Sequence, residues 1–111
     1  MQVQCAKVRL HSDVAAETLE WFAGLSDDER RRQIQSLLVE EGMVVETVFT
    51  ETDESGAVWL YVYQRGADFQ AADRAFQASS NPLAEETRQV MTRAFAEARL
   101  LTLVTDLPAH D

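Results

Sequence analysis

The order of strand-like and helix-like segments is the feature that most limits what this chain can fold into. Strands are predicted where β-branched and aromatic residues alternate, and helices where apolar residues recur every three to four positions. The strand-like segments are Val3–Leu10, Val44–Thr52, Ala57–Gln64 and Leu100–Leu107. The helix-like segments run from about residue 13 to 42 with a break near Gly24, from Asp68 to Ala78, and onward from Pro82. The order β-α-β-β-α(α)-β predicts an α+β, ferredoxin-like sandwich, in which helices cover one face of a four-stranded antiparallel sheet.

Local signals define the expected helix ends. Ser26 and Glu29 form a capping-box pattern that would restart the first helical region after its break. Gly42 suits the left-handed position that ends this region. Asn81 is expected to cap the last helix, with Pro82 as its first residue. The buried side of that helix is expected to comprise Leu83, Val90, Met91, Ala94, Phe95 and Ala98.

Length and composition limit the class of protein. The 111 residues leave room for one domain, which we expect over 1–107, with a short tail at 108–111. Lys plus Arg total 10 and Asp plus Glu total 19, so the net charge of −9 disfavours nucleic acid and anionic membranes as partners. No apolar run approaches the roughly 18 residues of a membrane span, and no signal peptide is evident. These features predict a cytoplasmic protein.

Residue types that bind metals or carry catalysis do not occur at suitable spacings. Cys5 is the only cysteine, which excludes an internal disulfide and a multi-cysteine metal site. His11 and His110 are not spaced as metal ligands with each other or with Cys5, so zinc and haem are not predicted. The four glycines are isolated, and no glycine-rich phosphate loop exists. We therefore predict no cofactor and assign no catalytic residue.

The third strand carries large side chains on both of its faces. Helices can cover only one face of the sheet, so the second apolar face needs another layer. In a chain this short the layer has to come from another subunit, and a homodimer packed sheet to sheet is the simplest solution. The two alternating sets are Val58, Leu60 and Val62 on one face and Trp59, Tyr61 and Tyr63 on the other.

Short motifs spread along the chain carry a resemblance to a known group. They are Val-Gln-Cys-Ala-Lys-Val-Arg-Leu at 3–10, Val-Glu-Thr-Val-Phe at 45–49, Trp-Leu-Tyr-Val-Tyr at 59–63, and Ala-Phe-Gln-Ala-Ser at 75–79 leading to Pro82. The chain resembles the dimeric α/β-barrel superfamily, in which two ferredoxin-like chains join their sheets into one barrel. Within it, the chain is similar to a family of small bacterial and archaeal proteins without an assigned function. An acid and a histidine often follow the proline in that family by two and five positions, where this chain has Ala84 and Thr87.

Charged side chains on the first two strands are candidates for binding. Lys7 and Arg9 share a strand face with Cys5. In the interior of a barrel they could bind an anionic small molecule, with Glu46 of the second strand as their counter-ion. Alternatively, they form salt bridges at an interface or on the surface, each of which contributes little to stability.

The aromatic residues of the third strand are the other candidates. Tyr61 and Tyr63, together with Trp59, offer flat surfaces and hydroxyl groups that could line a pocket. The alternative is that they pack in the core or against a second subunit. The predicted ligand-binding residues are therefore Lys7, Arg9, Glu46, Trp59, Tyr61 and Tyr63.

Two functional hypotheses follow. In the first, the protein is a soluble homodimeric module that binds a small molecule or a protein partner through the sheet or the cleft between helices and sheet. In the second, which rests on the resemblance, it is a cofactor-free enzyme similar to the monooxygenases or isomerases of the barrel group. Tyr61 or Tyr63 would then orient or protonate an oxygen, while Lys7 stabilises negative charge and Glu46 acts as the base. A closed pocket in which these groups converge would distinguish the second hypothesis from the first.

Overall fold

The computed structural model describes residues 1–110 as one sheet with two helical pairs packed on it. The elements are β1 (Gln2–Leu10), α1 (Ala15–Gly24), α2 (Asp28–Glu41), β2 (Met43–Thr52), β3 (Val58–Gly66), α3 (Phe69–Ala78), α4 (Pro82–Ala94) and β4 (Phe95–Leu100). The strand order is β2-β3-β1-β4, and every neighbouring pair is antiparallel. This topology confirms the predicted ferredoxin-like α+β fold. None of the helices in the described range is both long and apolar enough to cross a membrane.

The helices cover the sheet face that carries the even-numbered residues of β1 and β3. Val8 and Leu60 lie directly opposite each other in the register of these strands, and both are buried. Burying a side chain of this size contributes about 1.5–3 kcal/mol. The core therefore forms between the helices and the apolar side chains that the strands direct toward them. Its cluster of buried residues is Val8, Leu10, Ala15, Leu60, Val90 and Ala94.

Several of the predicted helix ends are confirmed. Gly42 ends α2 with φ of +73°, and its N–H donates to the carbonyls of the last turn. The side chain of Asp68 accepts hydrogen bonds from the first N–H groups of α3. Asn81 caps α4 by accepting from Leu83 N, and Pro82 is the first helical residue. These residues satisfy backbone groups that a helix end would otherwise leave without partners.

The predicted capping box at the start of α2 is wrong. The residue before the helix is Asp27, and no side chain caps this end. Ser26 N donates to Ala23 O and Asp27 N donates to Gly24 O, so consecutive backbone turns lead from α1 into α2. Ser26 therefore lies one residue too early to cap the helix.

The last strand also differs from the prediction. It spans Phe95–Leu100 rather than Leu100–Leu107, so Phe95 and Ala98 belong to β4 and not to α4. The residues in this segment favour helix, but pairing with the edge of β1 overrides that preference. Residues 101–110 that follow are irregular. Of the tail expected at 108–111, the last residue lies outside the described residues.

Candidate ligand-binding site

The open face, meaning the sheet face that no helix covers, carries the odd-numbered residues of β1 to β3. In the strand register Lys7 lies opposite Tyr61, which lies opposite Phe49 on β2. Phe49 is 60% exposed. Directly opposed residues of an antiparallel pair project to the same side. The open face therefore contains Cys5, Lys7, Arg9, Thr47, Phe49, Glu51, Trp59, Tyr61, Tyr63, Glu97 and Arg99.

Lys7 lies against the aromatic residues of this face. Its Nζ is 4.5 Å from the centre of the Trp59 ring and 5.8 Å from that of Tyr61. The Trp59 indole is held in place because its Nε1 donates to Asp53 Oδ2 at 2.9 Å, in the β2–β3 turn. Hydrogen bonds from Ser55 and then from Trp59 lower the pKa of Asp53 to about 2. The hairpin turn thus orients the ring on which the Lys7 ammonium rests.

Two polar pairs on the open face lie within reach of water. Arg9 Nε lies 3.9 Å from Glu97 Oε1 of β4, and both side chains are largely exposed. The Tyr61 hydroxyl donates to Glu51 Oε1 at 3.1 Å. Pairs of this kind contribute about 0–1 kcal/mol each. Five of the six predicted site residues share this face, but within one chain they form a surface and not a pocket.

Glu46, the sixth predicted site residue, lies on the opposite, helix-covered face. It is directly across from Gln64 in the register, and Gln64 Nε2 donates to Glu46 Oε1 at 2.6 Å. Gln4 Nε2 in turn donates to Gln64 Oε1 at 2.7 Å. Because successive strand residues alternate between faces, Glu46 cannot reach Lys7 or Arg9. The prediction of Glu46 as their counter-ion is wrong, and the groups invoked for the enzyme hypothesis do not converge.

An inner cavity of about 290 Å³ lies between the helices and the sheet, next to Glu46. Thr87 of α4, where the family resemblance implies a histidine, lines it, whereas Ala84 is fully buried. Among the residues described, the cavity lining contains no lysine, arginine or histidine. Apolar walls come from Ile34, Leu37, Phe69, Phe76 and Met91, and polar groups come from Gln4, Glu41, Glu46, Gln64, Asp73 and Thr87.

The two glutamates of the inner cavity are shifted toward their neutral forms. Burial raises the pKa of Glu41 to about 7, with further contributions from the negative charges of Glu46, Glu40 and Asp73. Burial also raises the pKa of Glu46, while the hydrogen bond from Gln64 opposes this shift. A carboxyl group with a pKa near neutrality can donate or accept a proton, and such groups cluster at functional sites. Within residues 1–110, no group of three or more His, Cys, Asp or Glu side chains is arranged to hold a metal ion.

Sequence reasoning missed most of this cavity, although one signal was present. Gln4 belongs to the same alternating set as the buried Val8 and Leu10, and Gln64 to the same set as Leu60. A polar residue in an otherwise apolar set has to find a partner or bind something. Glu41 carried no comparable signal, because its position at the end of α2 gives no hint of burial.

An outer groove of about 770 Å³ runs between the α1–α2 pair and β2. Ile34 and Glu46 line both the outer groove and the inner cavity. The two spaces therefore adjoin, with Glu46 at their junction. Most of the groove wall is apolar and includes Leu19, Phe22, Leu25, Leu38, Val48 and Leu60. Arg31 of α2 and the open-face residues Thr47 and Phe49 of β2 also line the groove.

The strand order, the helical layer and the covered and open faces place the chain among ferredoxin-like α+β proteins. The chain belongs to the Family of unknown function DUF6176, whose family model matches residues 1–109. This membership confirms the resemblance to a family without an assigned function. No curated protein sequence matches the chain.

Two solved structures illustrate the similarity of fold. One is a Nitrosomonas europaea protein provisionally assigned as an antibiotic biosynthesis monooxygenase, with a TM-score of 0.56 and 13% identity over 95% of this chain and 100% of that one. Another is a variant of SnoaB, a cofactor-independent oxygenase from Streptomyces nogalater, with a TM-score of 0.55 and 20% identity over 96% of this chain and 95% of that one. At these identities the likeness shows the fold alone.

Proposed function

We propose that the protein binds a small organic molecule in the inner cavity and does so as a homodimer joined through the open faces. The observation that carries the binding proposal is the hydrogen-bonded chain of Gln4, Gln64 and Glu46 along one wall of a largely apolar space. Ligand sites typically combine apolar walls with a few placed polar groups, in volumes from about 300 Å³ upward. The inner cavity is at the small end of that range and adjoins the outer groove.

Burying the polar groups of the cavity costs free energy unless they are hydrogen-bonded or bind a ligand. An amide or carboxyl group removed from water without full hydrogen bonding costs about 1–3 kcal/mol. Glu46 receives a hydrogen bond from Gln64 at one oxygen, and Glu41 is buried beside other carboxylates. A ligand that donates hydrogen bonds would offset this cost, which supports a binding role for the site.

The proposed dimer rests on the composition of the open face. A symmetric interface has to be complementary to itself. The open face offers an exposed Phe49 together with aromatic rings, and it carries both basic and acidic side chains, such as Arg9 and Glu97. In this proposal Lys7, Arg9, Trp59, Tyr61 and Tyr63 line the space between the two sheets. We extend the proposal to a cytoplasmic location, as the composition predicts.

The binding proposal is tested by a fragment screen followed in ¹⁵N–¹H spectra, using two matched variants. Thr87 and Thr92 both lie on α4 and both donate to the carbonyl four residues earlier, but only Thr87 lines the cavity. Thr87→Phe should fill the cavity and abolish fragment-induced shifts at Gln4 and Gln64. Thr92→Phe, which changes an exposed position, should leave them intact. Shifts that persist in Thr87→Phe would contradict the proposed site.

Glu41 supports one alternative function, catalysis without a cofactor. A carboxyl group with a pKa of about 7 in a cavity is suited to general acid–base work. Likeness of fold to a cofactor-independent oxygenase is a weaker argument, since one fold hosts many functions. Mass spectrometry of cavity-binding fragments after incubation in air separates the two functions. An altered fragment whose conversion is lost in Glu41→Gln supports catalysis, and recovery of every fragment unchanged supports binding alone.

A further inference from the structure

We propose that the ligand is an elongated amine, with its ammonium group at Glu46 and its apolar body in the outer groove. This inference rests on the proposed function, because it takes the inner cavity to be the ligand site. It goes further by naming the charge and shape of the ligand.

The shape follows from the way the two spaces join. The outer groove and the inner cavity share the lining residues Ile34 and Glu46, so the two spaces are neighbours, and the proposed ligand extends past these side chains from one space into the other. The groove side is built from side chains such as Leu19, Phe22 and Val48, which favour an apolar segment. The inner side offers hydrogen-bond acceptors. A molecule with a polar head and an apolar body matches this division.

The charge follows from an imbalance in the inner cavity. Its lining holds Glu41, Glu46 and Asp73, and the described residues of the lining include no basic side chain. Arg31 of α2 lines the outer groove but not the inner cavity, and Arg88 of α4 is engaged with the Phe76 carbonyl and with Glu85. An anionic ligand would meet three acidic side chains and no counter-charge, whereas an ammonium ion would stabilise the ionised forms of these acids.

Binding of a cation in the inner cavity should also change the protonation of Glu41. Glu41 faces Glu46 on β2 and Asp73 on α3, with Glu40 beside it on α2. These acids together with burial hold a proton on the group near neutral pH, and a bound ammonium would reverse that effect. Binding should therefore release protons, and amine affinity should rise with pH until Glu41 is fully ionised.

Calorimetric titration with chain-matched probes tests the ligand class. The probes are n-octylamine, 1-octanol and octanoate, with n-butylamine to test the groove. We expect octylamine to bind at least tenfold more tightly than octanoate and more tightly than butylamine. Octylamine titrations in buffers of different ionisation enthalpy should show proton release. Octanoate binding as tightly as octylamine would overturn the inference.

Two variants and a control assign the parts of the ligand to the parts of the site. Glu46→Gln should remove most of the preference for octylamine over octanol, and Ala23→Trp should fill the groove and weaken octylamine but not butylamine. Glu54→Gln, in the exposed hairpin turn, should change neither.

If octylamine binding is unaffected by both variants, the inference is wrong. If fragments shift the cavity resonances but no amine binds, the inference fails and the proposed function stands; if neither binds, the proposed function fails.

Discussion

The two faces of the sheet are formed by the same strands, but their polar residues differ in how far water reaches them. On the covered face Gln4, Gln64 and Glu46 are surrounded by apolar side chains and bond to one another. On the open face the charged residues pair in reach of water, as Arg9 does with Glu97. A polar group costs little where water reaches it and much where it does not. This difference supports our proposals of a ligand site on the covered face and of an interface on the open face.

The largest expected effect comes from truncating the covered face at its centre. Leu60 is fully buried, so Leu60→Ala should lower the free energy of unfolding by about 2–5 kcal/mol. Phe49→Ala, on the neighbouring strand but on the open face, should cost less than about 1 kcal/mol in dilute, monomeric protein. Urea denaturation measures both. Equal losses would mean that the open face contributes to the core of the single chain.

Disruption of the open face should act on assembly instead of folding. Phe49→Glu places a charge where the two sheets are proposed to meet, and we expect the dimer dissociation constant to rise at least tenfold, or about 1.4 kcal/mol. Val39→Glu introduces the same charge at a 78% exposed position on α2 and serves as the control. Sedimentation velocity distinguishes the two. A Phe49→Glu dimer as stable as that of the control would remove the open face as the interface.

A third expected effect is the pH dependence that the covered face adds to stability. Burial raises the pKa of Glu41 from 4.5 to about 7, so folding favours its protonated form. The cost of ionising it is absent below the unfolded-state pKa of 4.5, grows as the pH rises from there to the folded-state pKa of about 7, and levels off above that pH. After allowance for partial exposure, wild type should lose about 1–2 kcal/mol relative to Glu41→Gln between about pH 5 and pH 8.

The control for this pH effect is Glu20→Gln, at an exposed position on α1 that does not contribute to the shift of Glu41. It removes the same negative charge, so it reports the general effect of reducing the net charge of −9. Thermal unfolding across the pH range compares the three proteins. If Glu41→Gln and Glu20→Gln change with pH in parallel, burial of Glu41 is not the cause.

Three of the four strands and the fold could be predicted from local pattern, but the candidate site could not. Alternation along β2 separates Glu46 from Phe49, yet it does not say which set shares a face with Lys7 on β1. That depends on the register between strands, which only the pairing through β3 determines. The β4 error has a related origin, because Glu97 and Arg99 suit a helix as well as a strand and the partner strand decides. Long-range pairing, which a single sequence does not display, accounts for both.

The smallest expected effects come from a pair of substitutions on β1 that compare the faces directly. Lys7 and Gln4 lie on the same strand, and each loses its polar group when replaced by methionine. Lys7→Met removes the ammonium that rests on Trp59, a contact worth about 0.5–1 kcal/mol, and should weaken only the dimer. Gln4→Met breaks the hydrogen bond to Gln64 and should weaken only binding in the inner cavity.

Sedimentation and fragment binding, measured on both β1 variants, complete the comparison. The two substitutions create the same side chain three residues apart, so differences in bulk and hydrophobicity largely cancel. If Lys7→Met weakened fragment binding as much as Gln4→Met, the faces would be coupled through the strand instead of acting separately. An effect of each substitution on its own face alone would mean that one sheet serves assembly on one side and ligand binding on the other, because strand alternation keeps the two sets of side chains apart.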